Sequence, residues 1–106
     1  MKRAKIICMC GSLKNTHTIM EETERLTLEG YNVISIIYET KDRDSYTDKD
    51  IVLFTELHFQ KIDLSDAIYV VNVNGHIGEG TKKNIEYAEQ KGKEILYMEE
   101  VYQKTK

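Results

Sequence analysis

Four short apolar runs without regular polar alternation constrain this chain more than any other feature: "KIICMC" at 5–10, "YNVISIIYE" at 31–39, "AIYVVNV" at 67–73 and "EILYM" at 94–98. A strand with one wet face alternates apolar and polar residues, whereas a strand covered on both faces is apolar throughout. Between the runs, the apolar spacing becomes helical. "LKNTHTIMEETERLTLEG" brings Ile19, Thr23 and Leu26 to one face and ends at Gly30. Thr47 predicts the cap of a second helix running to about Asp63, with Ile51, Phe54, Leu57, His58 and Ile62 inward. "TKKNIEYAEQKG" predicts a third, capped by Thr81, with Ile85 and Ala88 inward and Gly92 at its end. The charged stretch "ETKDRDSYTDKD" breaks both periodicities and reads as a surface loop, in a position that also suits a lid.

Strands alternating with helices at about 25 residues per unit require right-handed crossovers and a parallel sheet. The 106 residues make one domain, 1–106. The expected fold class is α/β: a single flavodoxin-like or Rossmann-like three-layer domain, with a parallel sheet of four to five strands flanked by helices. Val33, Ile34, Ile36 and Ile37 make its second strand an interior one. Ligands of such sheets sit beyond the carboxyl ends of the strands.

Charge narrows the partners. With 15 basic and 18 acidic residues, net −3, the chain is too balanced to attract a nucleic-acid polymer or an anionic membrane. Lys2, Arg3 and Lys5 read as a solvated flank, and the seven tyrosines lack the spacing of a stacking platform. No apolar run approaches the ~20 residues of a membrane span, and no signal peptide is read before the first strand, so a cytoplasmic protein is expected. Cys8 and Cys10, two apart on a strand, point the same way and cannot form an ordinary disulfide with one another. They read first as small core residues, with a redox or metal role as the alternative. With no CxxC and no histidine spacing that completes a zinc motif, no metal and no cofactor are expected.

Two loops at the carboxyl edge feed helix starts, "GSLKNT" and "NGHIGEGT". Free N–H groups and the positive end of the helix dipole suit phosphate or sugar oxygens there. Gly11, Ser12, Gly75, His76, Gly78, Gly80 and Thr81 are the candidate substrate-binding residues, with Thr16 adding a hydroxyl. The second loop carries neither the GxxxxGK[ST] of a P-loop nor the GxGxxG dinucleotide fingerprint. Gly11, Ser12, Asn72 and Asn74 stand where a phospho-accepting receiver domain needs acids. His17, Asp63 and Asp66 read as surface or turn residues.

"GSL", "LHFQKIDLSDAIYVVNVNGHIGEGT" and "NIEYAEQKGKEILYME" together resemble the nucleoside 2-deoxyribosyltransferase superfamily, especially its small members of unassigned function. The resemblance spans Lys5 to about Glu99 and is most specific from Leu57 to Lys93. It implies cleavage of the N-glycosidic bond of a nucleoside or nucleotide by a carboxylate nucleophile through a covalent glycosyl intermediate, without metal. It also implies a homodimer or larger homo-oligomer. Gly11 and Ser12 match the family's first ligand loop, and Gly80 and Thr81 its second. The family's nucleophilic glutamate falls on Asn84, whose amide carries no charge to stabilise an oxocarbenium ion. Glu79 and Glu86 are the nearby carboxylates, although Glu86 is turned about 200° from Asn84 around a helix. His58 stands where the transferases place an acid that handles the base. Three readings follow: a nucleoside 5'-monophosphate N-glycosidase or transferase, a non-catalytic nucleotide-binding or sensing module, and a short flavin carrier using "GSLKNTHT" as its phosphate loop.

Overall fold

The computed structural model describes residues 2–100. In chain order, β1 (Ile6–Gly11) leads to α1 (Thr16–Leu28), β2 (Asn32–Ile34), α2 (Asp48–Asp63), β3 (Ala67–Val71), α3 (Glu79–Gln90) and β4 (Glu94–Tyr97). All pairings are parallel, in the order β2-β1-β3-β4. The right-handed crossover rule explains the layers. The chain steps one way from β1 to β2, then reverses to β3 and continues to β4, so α1 covers one face while α2 and α3 share the other.

The central strands show why their sequences are apolar at every position. Ile7, Cys8, Met9 and Cys10 are wholly buried. Ile7 and Met9 pack with Ile19 and Leu26 of α1, while Cys8 and Cys10 pack with Ile62 of α2 and Ala88 of α3. In β3, Ala67, Tyr69 and Val71 join the first cluster, and Ile68 and Val70 the second. The two clusters are the two faces of one sheet.

Helix ends follow local chemistry. After α1, Gly30 takes φ +104°, and the Tyr31 N–H returns to the Leu26 carbonyl. Thr47 caps α2 as predicted: its Oγ1 accepts from the Asp50 N–H at 3.0 Å while the Asp50 carboxylate accepts from the Thr47 N–H at 3.0 Å.

Three expectations are corrected. β2 is an edge strand of three residues pairing only with β1, so the apolar run continues past it as irregular chain. Leu57 points outward, 44% exposed, and Phe59 packs inward instead. The N-cap of α3 is Gly78, which makes Thr81 the third helical residue and Asn84 the sixth. Among the described residues the sheet has four strands, within the expected four to five, and residues 101–106 lie outside the described part.

Candidate functional site

The strand order reverses between β1 and β3, so their outgoing loops part toward opposite faces and open a crevice at the carboxyl edge. A cleft of about 770 Å³ opens at that edge, large enough for a nucleotide-sized molecule. The loop after β1 supplies Gly11 to Lys14, the segment after β2 supplies Ile36, Ile37, Glu39 and Arg43, and α2 adds Phe54, His58 and Phe59. The start of α3 closes the far wall with Gly78 to Thr81, Lys83 and Asn84.

Two regions of different character result. Phe54, Phe59, Ile36, Ile37 and Ile51 make an apolar wall suited to a flat ring. Opposite it, Gly78 has an extended backbone and no side chain, so α3 begins without a side-chain cap. The first backbone bond into this helix is from the Lys82 N–H to the Gly78 carbonyl. Among the described residues, the N–H groups of Glu79, Gly80 and Thr81 are thus left to an incoming acceptor. Lys14, Arg43 and Lys83 line the cleft, together with the carboxylates Glu39 and Glu79. Arg43 is held by Glu39 at 2.8 Å.

The structure brings together eight of the residues singled out in the sequence: Gly11, Ser12, His58, Gly78, Glu79, Gly80, Thr81 and Asn84 all line the cleft. Gly11 has a packing role as well, because a Cβ there would stand 3.3 Å from both the Cβ and the carbonyl oxygen of Val71 on the paired strand. The Ser12 oxygen accepts from the Lys14 N–H at 3.1 Å, which leaves its O–H free to donate. Thr16 instead donates to the Leu13 carbonyl at 2.6 Å, so its hydroxyl serves the turn.

Three others lie apart. Gly75 and His76 are exposed and absent from the cleft wall. Asn74 and Gly75 take φ of 57° and 77°, so Asn-Gly is here to make a left-handed turn. Glu86 is exposed on α3 and also absent from the wall. Glu79 reaches the rim with 86% of its side chain exposed, 3.6 Å from Lys82.

Sequence reasoning missed Glu39, Arg43 and the apolar wall. Ile36 and Ile37 read as strand core because burial under a neighbouring strand and lining of a cleft demand the same side chains. It also missed the neighbours of His58. The Nε2 of this histidine lies 3.4 Å from Cys10 Sγ and 3.9 Å from Cys8 Sγ. Cys8 is pushed down to about 6, chiefly by the hydrogen bond from Cys10 and further by His58, against the opposing effect of burial. Cys10 moves the other way, raised by the same hydrogen bond and by burial. Only long-range folding joins Cys8 and Cys10 to His58, so no local motif announces the group.

Asn72, wholly buried, secures the loop that leads to α3. Its Nδ2 donates to the Glu99 carbonyl at 3.0 Å and its Oδ1 accepts from the Glu99 N–H at 2.8 Å. The Glu99 carboxylate in turn accepts from the Asn74 N–H at 2.9 Å. This fastens the chain leaving β4 to the chain leaving β3.

Fold and site together define a three-layer parallel α/β domain with a mixed apolar and charged cleft at the carboxyl edge of its sheet. In comparison with known proteins, no family model and no curated protein matches the chain. No described helix is long and apolar enough to cross a membrane.

Proposed function

We propose that this protein binds a nucleoside 5'-monophosphate in the cleft between α2 and α3. The observation that carries this reading is the uncapped start of α3 at Gly78 to Thr81, facing the Gly11–Ser12 loop across a cleft whose other wall is apolar. In this reading the phosphate meets the N–H groups of the α3 start and the cations Lys14, Arg43 and Lys83, while the base lies against Phe54 and Phe59.

Binding without family-type cleavage is the form proposed. Asn84 lines the cleft where the deoxyribosyltransferase-like resemblance calls for a nucleophilic carboxylate, and an amide neither attacks the anomeric carbon readily nor stabilises its positive charge. Glu79 favours a second, catalytic reading, because it is a carboxylate on the same wall. The exposed Val52, Leu53 and Leu57 on the outer side of α2 support self-association of the chain. A sedimentation measurement giving only monomer at high concentration rules that out.

A thermal-shift panel of nucleosides, nucleoside 5'-monophosphates and free phosphate, followed by chromatography for released base, tests both forms. A ligand present at a hundredfold its Kd stabilises by about 2.7 kcal/mol, which is roughly 10–20 °C for a domain of this size. The binding form predicts such a shift with a monophosphate and no free base. Free base appearing with the wild-type protein establishes the catalytic form, and no shift with any nucleotide rejects both.

A further inference from the structure

Behind the cleft lies a second arrangement that nucleotide binding does not use. Cys8 and Cys10 are wholly buried on the same face of β1, in an apolar setting of Ile62, Ile68 and Val70. His58 reaches them from α2, and its ring also lines the cleft. Two thiols and an imidazole converging in so dry a place are more polar than packing requires, since alanine or valine would fill the same space.

The distances are those of ligands around one ion. Sγ of Cys8, Sγ of Cys10 and Nε2 of His58 lie within 4.8 Å of one another, and the two sulfur–nitrogen separations are 3.9 and 3.4 Å. For a triangle with those sides, the point equidistant from all three atoms is about 2.4 Å or less from each, whereas zinc takes sulfur at about 2.3 Å and imidazole nitrogen at about 2.0–2.1 Å. Those bond lengths, at angles between tetrahedral and trigonal, imply sulfur–nitrogen separations of about 3.6–3.8 Å, within the interval the two observed values define. The geometry therefore asks for little movement of the ligands.

We propose that Cys8, Cys10 and His58 form a three-ligand site for a zinc-class divalent ion. Two thiolates and a neutral imidazole around a divalent ion give a centre of zero net charge, the combination that low-dielectric surroundings penalise least. A singly charged ion on the same ligands leaves a net negative charge among isoleucine and valine. Two thiolates and one histidine are a known ligand set for zinc with a fourth position open. The ion has an entry path, because His58 forms part of the cleft wall. The inference rests on the thiols and the ring alone, and stands whether or not a nucleotide binds.

Titration of the reduced, chelator-treated full chain with Co2+ tests it. The expected result is one equivalent bound per chain, with a thiolate-to-cobalt charge-transfer band and the intense visible bands of a low-coordinate ion, both erased by one equivalent of Zn2+. Cys8→Ala and Cys10→Ala each remove one-equivalent binding, and His58→Gln weakens it at least tenfold. Exposed His17→Gln leaves it unchanged. His58 is only half-buried, so His58→Gln decides the matter even where a cysteine variant does not fold. Absence of a thiolate band at one equivalent of Co2+, or a band and affinity unaltered in His58→Gln, overturns the proposal.

Discussion

Replacing Asn72 by alanine tests how the ligand loop is anchored. Asn72 is wholly buried and exchanges two hydrogen bonds with the backbone of Glu99, at 3.0 and 2.8 Å. Each such bond is worth about 1 kcal/mol net, and a partner left unpaired in the interior costs about 1–3 kcal/mol. Glu99 is only half-buried, so water recovers part of the loss there. The expected destabilisation is about 2–3 kcal/mol, or roughly 8–20 °C in Tm for a domain this size. Asn72→Asp provides the sharper comparison. It preserves the shape and the acceptor for the Glu99 N–H, but replaces the donor to the Glu99 carbonyl by a buried negative charge, near a loop that already holds the Glu99 carboxylate. At neutral pH Asn72→Asp is therefore at least as unstable as Asn72→Ala, and it recovers as acid protonates the new carboxyl. Thermal denaturation followed by circular dichroism reads both. A Tm loss below about 2 °C in Asn72→Ala means that the clamp contributes little, and refutes this account of the loop.

Glu22 supplies a pH test. Its carboxylate accepts from Arg25 at 2.9 Å and from the Tyr69 hydroxyl, and Arg25 foremost holds it below the ordinary carboxyl range. The stability it contributes, about 1 kcal/mol, is complete above its unfolded pKa and is lost as the pH falls through the lowered folded value. The Tm gap between wild type and Glu22→Gln is thus widest near neutrality and closes in acid; a gap that widens in acid contradicts the assignment. For the site, Asn84→Glu is expected to create slow base release from nucleoside 5'-monophosphates, seen by chromatography, if the cleft retains the geometry of an N-glycosidase. No release from a folded variant that still binds nucleotide means that more than the nucleophile differs.

Much of the fold was legible because backbone chemistry spoke locally. Thr47 and Asp50 announce the start of α2, and Gly30 and Gly92 mark turns where φ is 104° and 70°. The parallel sheet followed from apolar runs with no polar face. Local signals failed where one residue type serves two environments. Ile36 and Ile37 look like strand core; Ile36 does pack against the core, yet both lie beyond β2 and line the cleft. The outward Leu57 and inward Phe59 differ only in how α2 is rotated, and a helix apolar on several sides does not fix that rotation. Gly75 and His76 sit in a glycine loop that reads as ligand-binding throughout, yet only its later part, from Gly78, reaches the cleft. The union of Cys8 and Cys10 with His58 depends on the sheet and α2 being assembled.

Amide mapping by NMR tests nucleotide binding at the α3 start most directly. Adding a nucleoside 5'-monophosphate to labelled protein should shift the backbone amides of Ser12, Glu79, Gly80 and Thr81 most strongly, and leave Gly75, His76 and Glu86 nearly still. Saturating nucleotide that moves none of the Ser12 and Glu79–Thr81 amides, or moves chiefly residues outside the cleft, contradicts the account.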